Sequence, residues 1–340
     1  IALKGTLTDK GKIISTHANG IVKEFAYSGN SYNGITIDAD YNNGVIKGNL
    51  CSTDPKARFN ADVDANMSAL TADGFSGKIV VKDIYLAHND VNISKLSLES
   101  SNNQDSKTIS ITTDYGYAEI SGNFQLATLS QSLANVVTAH LSHIPYIPEF
   151  KATNNDYSIN AHIDNLNFIK KIVNIPVDIK KPVDIFGKIN DMQNFADITL
   201  SVPSAEIASK KIENTVIHIS SPIRQLFADI NTTILTDAEP VTLNINCTAD
   251  NGVLNSAVTW NNQRNNVFKG RLNTNTQFFK TPNGTNAFHI NIPNSDFEVG
   301  DTVWDISSEK ITFADNRLSI NNLRVGNETQ HVVINGTASA

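Results

Sequence analysis

The chain has 340 residues, 40% of them hydrophobic and 18% charged, with 34 Asp and Glu against 27 Lys and Arg for a net charge of -7. A charged fraction below the roughly 25% of ordinary soluble domains leaves Asn, Ser and Thr to solvate the surface. An acidic balance without any Lys/Arg cluster excludes nucleic acid as a partner, because phosphate binding needs a basic face. No apolar run approaches the roughly 20 residues of a spanning helix.

The chain begins inside a strand-like run, IALKGTL, and reads as a fragment of something longer. From Ile13 to Met67 apolar residues recur every second position, as Ile35, Ile37 and Ala39 and then Ala57, Phe59, Ala61, Val63 and Ala65. Between them Tyr41 to Gly44, YNNG, predicts a hairpin turn, since Asn-Asn-Gly accepts the left-handed backbone that a tight connection needs. Residues Gly77 to Phe124 continue in the same period, with pairs such as Ile79 and Val81, Leu96 and Leu98, and Ile109 and Ile111.

At Leu126 the period changes. Leu126, Leu129, Leu133, Val136, Val137 and Leu141 form a helical stripe, and Pro145 and Pro148 end it. A second short helix is predicted over Asn165 to Val173, stopped by Pro176, with YSINAHI between the two as a strand. Strands resume after Pro182 and run to the end. In the last stretch, Asn291 to Ala340, Trp304 and Ile306, Ile311 and Phe313, Leu318 and Ile320, Leu323 and Val325, and Val332 and Ile334 alternate in short runs. The Ser-Ser, Asp-Asn, Asn-Asn and Gly-Asn pairs between these runs predict turns, and hence a meander of about five short strands. The chain therefore divides into a β segment over 1–125, a helical insertion with one strand over 126–176, and a second β segment of the same array over 177–340.

The closing meander carries V-x-D-T-x-W-x-I from Val299, I-x-F at Ile311, L-x-I-x-N-L from Leu318 and Q-x-V-x-I-N-G-x-A-S from Gln330. Together these resemble the repeat unit of the TamB family, within the wider AsmA-like group of bridge-like lipid-transfer proteins. Y-N-G-I-x-I-x-A-x-Y from Tyr32 and D-P-x-A-x-F-x-A from Asp54 are similar to a unit of the same kind, and the segment from Val241 to Phe278 has the same look. The resemblance implies an inner-membrane-anchored protein of the periplasm, folded as a β-groove with an apolar interior. Such a groove carries phospholipids between inner and outer membranes and supports outer-membrane assembly, with an outer-membrane assembly-type β-barrel as partner. It implies no catalytic residue and no cofactor.

Physics leads toward the same architecture. About two dozen strands with one apolar face must hide that face, and two helices are too few to cover it. A twisted open sheet rarely exceeds about ten strands without curling or splitting. The expected fold class is mainly β, an elongated, curled antiparallel sheet forming an open groove, with one or two short inserted helices that cap an opening or rim. Composition alone leaves an open groove and a filled sandwich core both standing; the resemblance favours the groove. The residues expected to contact acyl chains are Ile35, Ile37, Phe59, Val63, Ile109, Ile111, Trp304, Ile306, Ile311, Phe313, Leu318, Ile320, Val332 and Ile334. Trp304 and Trp260 also read as large anchors packing against their strand neighbours. The alternative is a secreted or surface-exposed β-sandwich acting as a glycan-binding or adhesin module, which the scarcity of Trp weakens.

Other constellations are weaker. His140 and His143, with Glu149 downstream, lack a third ligand at motif spacing. Asp38, Asp40 and Asn42 imitate the opening of a calcium loop, but Gly44 falls one residue late and Asn49 stands where the bidentate Glu belongs. GFSG at Gly74 to Gly77 has the wrong spacing for a nucleophile elbow. Cys51 and Cys247 are compatible with one disulfide or with two buried thiols.

Overall fold

The computed structural model describes residues 2–7, 13–27, 30–71, 74–87, 90–103, 106–145, 147–148, 151, 153–167, 170, 176–222, 225–237, 239–262 and 267–339. The protein is mainly β, an open, curled antiparallel sheet with one short α-helix among the described residues. It comprises two compact units, Ile1–Ala127 with Tyr157–Pro176, and Thr128–Asp156 with Val177–Ala340. The stretch read from sequence as one insertion is thus shared between them.

In the first unit β1 (Ala2–Leu7), β2 (Ile13–Tyr27), β3 (Asn30–Asn42), β4 (Val45–Asp54), β5 (Ala57–Thr71), β6 (Gly74–Leu86), β7 (Val91–Asn102), β8 (Lys107–Thr113) and β9 (Gly116–Asn123) follow one another as an antiparallel meander. β10 (Asp156–Ile163), the strand expected from YSINAHI, pairs with β9. The β3–β4 turn is the predicted one: Asn43 and Gly44 take φ of 45° and 92°, the mirror-image turn whose twist suits a hairpin.

Register explains why alternation in the sequence becomes two chemically distinct faces. Ala18, Ala39, Gly48, Val63, Ile79, Leu98, Ile111 and Ala118 stand opposite one another across successive strands from β2 to β9. One residue away, on the other face, His17, Asp40, Lys47, Asp64, Lys78 and Glu99 form a second row in which charge alternates in sign. His17 Nδ1 is 2.9 Å from Asp40, Lys47 Nζ is 2.8 Å from Asp64, and Lys78 pairs with Glu99. Exposed pairs of this kind contribute little each. Their effect is on register, because a one-residue slip would carry charge onto the apolar face.

In the second unit β11 (Val177–Ile179) and β12 (Val183–Asn190) both pair with β13 (Phe195–Ile207). The meander then continues through β14 (Lys210–Ser220), β15 (Leu226–Leu235), β16 (Val241–Asp250), β17 (Val253–Asn261), β18 (Phe268–Lys280), β19 (Asn286–Val299), β20 (Thr302–Ala314), β21 (Arg317–Gly326) and β22 (His331–Ser339). Asn251-Gly252 and Asp315-Asn316 make hairpin turns with both central residues at positive φ.

The closing stretch differs from expectation in one respect. Ser307-Ser308 and Asn321-Asn322 do not turn the chain but lie inside β20 and β21, so there are fewer and longer strands. The reason lies in the spacing. Ile306 to Ile311 and Ile320 to Leu323 are odd steps, which in a straight strand would send the pair to opposite faces. Pairing is irregular at Ile290, Ile292 and Ser295 opposite β20 and between Ile320 and Leu323 in β21, where Asn322 has φ 53°. Bulges absorb the extra residue and return the apolar side chains to one face.

The predicted first helix is present as α1 (Leu129–His140), preceded by a single 3-10 turn at Leu126–Thr128. The second, over Asn165 to Val173, falls largely outside the described residues; there, Lys170 N–H donates to Leu166 O at 2.8 Å. One hairpin uses unfavourable chemistry. Ala208 and Ser209, between β13 and β14, have φ of 46° and 67° although both carry a Cβ. Replacing them with Asn and Gly is expected to stabilise the second unit by about 1 kcal/mol, read as a higher denaturant midpoint with unchanged slope.

Candidate functional site

The feature that stands out is an apolar surface larger than the fold covers. The protein exposes 20105 Å². Few large apolar side chains are fully buried; Phe124, Val91 and Val136 are the ones below 2% exposure among the described residues.

The expected contact residues lie on the apolar face in each unit. In the first, Ile37 faces Leu50, which faces Ala61 and then Val81; Val63 and Ile111 belong to the long row above; and Ile109 stands between Ser100 and Ile120. Ile35 and Phe59 flank Ser52. Ile35, Ile37, Phe59, Val63 and Ile109 are half-buried, and Ile111 is 39% exposed. In the second unit, Ile290, Ile311 and Ile320 form one row and Phe288, Phe313 and Leu318 the next. Ile306 faces Val325, which faces Val332, and Leu323 faces Ile334. Trp304, Ile306, Ile311, Phe313 and Ile320 are half-buried, Leu318 is 37% exposed, and Val332 and Ile334 reach 61% and 44%.

The sequence reading left out the middle of this face. Ile185, Leu200, Ile217, Ile230, Ile245, Val258 and Leu272 stand in one uninterrupted row from β12 to β18, all half-buried and without a charge among them. Their strands alternate as clearly as those chosen. The family-like stretch from Val241 to Phe278 contains Ile245, Val258 and Leu272; for Ile185, Leu200, Ile217 and Ile230 alternation is the signal that could have found them.

Trp304 and Trp260 fulfil the anchor role. Phe297 and Trp304 stack at 11° with centroids 6.4 Å apart, and Trp260 lies 6.0 Å from Phe268. The Trp260 indole lies over Gly270 on the facing strand, where a Cβ would come within 2.5 Å of it, so glycine makes the room the ring occupies. Trp260 Nε1 is buried without a hydrogen-bond partner.

α1 departs from its predicted packing. Its buried residues are Ser132, Asn135, Val136 and His140, while Leu129, Leu133 and Val137 are half-buried and Leu126 is 42% exposed. Of the predicted stripe Val136 and Leu141 are buried, and a polar cluster shares the buried side with them. The Asp191 carboxylate, 1% exposed, accepts hydrogen bonds from Thr153 N–H at 2.7 Å, Asn155 N–H at 2.9 Å, Asn135 Nδ2 at 3.3 Å and the Thr153 hydroxyl. Asn155 Nδ2 donates to Ser132 Oγ at 2.6 Å and Thr128 Oγ1 at 3.1 Å, tying the cluster to the helix start. Burial alone would raise the Asp191 pKa; the donors from Thr153, Asn135 and Asn155 outweigh it and hold the carboxyl below its usual value.

The sites weighed from sequence resolve simply. His140 is buried with Nε2 3.5 Å from Asn194 O, His143 has φ 65°, and Glu149 lies outside the described residues. Asp38 and Asp40 face His17 on the polar side. Among the described residues no three His, Cys, Asp or Glu side chains gather as a metal site, and no helix is long and apolar enough to cross a membrane. Cys51 and Cys247 are free, half-buried thiols. Comparison with protein-family models, curated proteins and solved structures gives no match.

The Asp191 cluster sets a pH limit. Because the folded pKa lies below the unfolded value of about 3.9, its contribution is fully present above that value and is lost as pH falls through the folded pKa. Asp191→Ala, which strands the Thr153 and Asn155 donors, is expected to cost about 3 kcal/mol at pH 7. The gap from wild type should close below pH 4, as read by urea unfolding at both pH values.

Proposed function

We propose that the chain is a segment of a TamB-like protein of the periplasm, anchored in the inner membrane, whose apolar sheet face carries phospholipid acyl chains between the inner and outer membranes and supports outer-membrane assembly. The observation that carries this reading is the row from Ile185 to Leu272 in the second unit, seven apolar side chains in register, all half-buried and without a charge among them.

Burial of hydrocarbon gains about 0.8 kcal/mol per CH₂ and is non-directional. A surface made largely of Ile, Val, Leu and Phe therefore holds an acyl chain without fixing it at one position. Headgroups stay in water at the edge of the face, and the charged and amide-rich opposite side keeps the protein solvated. Supporting this division, the row from Ala18 to Ala118 is followed one residue away by the charged row from Asp40 to Glu99. A stacked β-sandwich, the form an adhesin or glycan-binding module would take, needs a second layer to bury this face, and the exposure of Ile111, Leu318 and Val332 weighs against one. An outer-membrane β-barrel of the assembly type is the partner the TamB resemblance implies.

Lipid extracted from the purified protein and measured by mass spectrometry tests the reading. Ile311→Asp combined with Phe313→Asp puts two charges on the apolar face and is expected to lower recovered phospholipid roughly tenfold or more. Thr312→Asp, on the other face of the same strand, should leave recovery unchanged and reports whether β20 tolerates charge at all. Wild-type protein free of lipid, or equal recovery from both variants, contradicts the proposal.

A further inference from the structure

α1 belongs to the second unit by its contacts and to no strand of that unit by its connections. The chain enters it from β9 and leaves it for β10, and of this path Thr128–Asp156 falls in the second unit, whose remaining residues begin at Val177. Non-covalent contacts alone therefore keep α1 in the second unit, where it lies against β12 and β13.

The apolar part of this hold is small. Of the four buried residues of the helix, Ser132, Asn135 and His140 are polar and Val136 alone is apolar, with Leu141 buried just past its end. A docked helix ordinarily buries a broad apolar stripe, and its stability comes mostly from that burial. α1 has little of its own to replace it. Thr128 at its N-terminus makes no side-chain cap hydrogen bond, no acidic residue stands in its first turn, and Leu141 ends it where a glycine would close the last turn more cheaply. At 12 residues it is too short to persist alone in water.

What remains is polar and converges on one carboxylate. Asn135 Nδ2 donates to Asp191 at 3.3 Å and to Lys151 O at 2.9 Å. Ser132 Oγ accepts from Asn155 Nδ2 at 2.6 Å, and the Asn155 N–H in turn donates to Asp191 at 2.9 Å. At the far end Gly252 N–H donates to His140 O at 3.0 Å, and Asn286 Nδ2 to Ile144 O at 3.1 Å. Because the bonds around Ser132 and Asn135 share Asp191 and Asn155, they form and break together.

We propose that α1 is a latch: held by the Asp191 cluster, it detaches and unfolds as a unit while the sheet of the second unit stays folded. Opening exposes Val136 and bares the end of the sheet beside the β12–β13 turn, where Ile189 and Ala196 face each other at 2% and 0% exposure. The motion is a property of the chain itself and is independent of what lies on the apolar face.

Native-state hydrogen exchange of the whole chain in rising, sub-denaturing urea tests the latch, with peptides from α1 read against peptides from β15, β16 and β17. In the wild-type protein α1 amides are expected to be protected about a hundredfold, through an opening that exposes little surface and so hardly depends on urea. The strand amides are expected to be protected far more strongly and with the steep urea dependence of global unfolding. Asp191→Ala is expected to abolish protection in α1 and to lower that of the strands by no more than the same factor, since they lose only what the docked helix had added. Wild-type α1 amides that share the protection and urea slope of the strands overturn the latch, a result that needs no variant. Unchanged α1 protection in folded Asp191→Ala overturns the role given to the carboxylate.

Discussion

A β-strand has two faces, and a sheet that is apolar on one of them needs something to lie against it. In this protein the strands supply far more apolar face than the helix and the loops can cover. The strict two-residue alternation, kept in step by bulges at Ser308 and Asn322 and by the charge row from His17 to Glu99, concentrates Ile, Val, Leu and Phe on one side over strand after strand. The result is apolar side chains such as Ile111, Leu318 and Val332 that stay exposed on that side. Each other feature described here either maintains that alternation or deals with its consequence.

The consequence is dealt with locally rather than globally. Toward the α1 end of these strands Ile189, Ala196, Leu226 and Ala249 are buried, and further along Leu200, Ile245 and Leu272 are half-buried. The helix is held by hydrogen bonds to a buried carboxylate, an arrangement that costs desolvation and is stable because both Asp191 oxygens accept hydrogen bonds. A leucine-packed helix would have covered the face more cheaply. Using Ser132 and Asn135 instead leaves Leu129 and Leu133 half-buried.

Much of this architecture was legible in the residues. Period-two alternation gave the strands, Asn-Asn-Gly and Asp-Asn-Gly the hairpins, and a change of period at Leu126 the helix. What was not legible has physical causes. Ser307-Ser308 and Asn321-Asn322 use the same residue types as turns, and only the partner strand decides whether they turn or bulge. The packing side of α1 could not be read because its leucine stripe is the stronger local signal, whereas the polar cluster joins Ser132 to Asp191, 59 positions away in sequence. The middle row from Ile185 to Leu272 is written in the same alternation as the rest, and register across seven strands, which no local pattern states, is what brings those residues into one line.

Both tryptophans of the chain, Trp260 and Trp304, sit on the apolar face of the second unit, and this allows a direct test of whether hydrocarbon reaches it. Trp fluorescence recorded with vesicles of phosphatidylcholine brominated along its acyl chains, against the unbrominated lipid, reports contact between ring and chain. Strong quenching by the brominated lipid alone is the predicted result. Emission equal in the two lipids would mean that no acyl chain lies against the face, and would contradict the account.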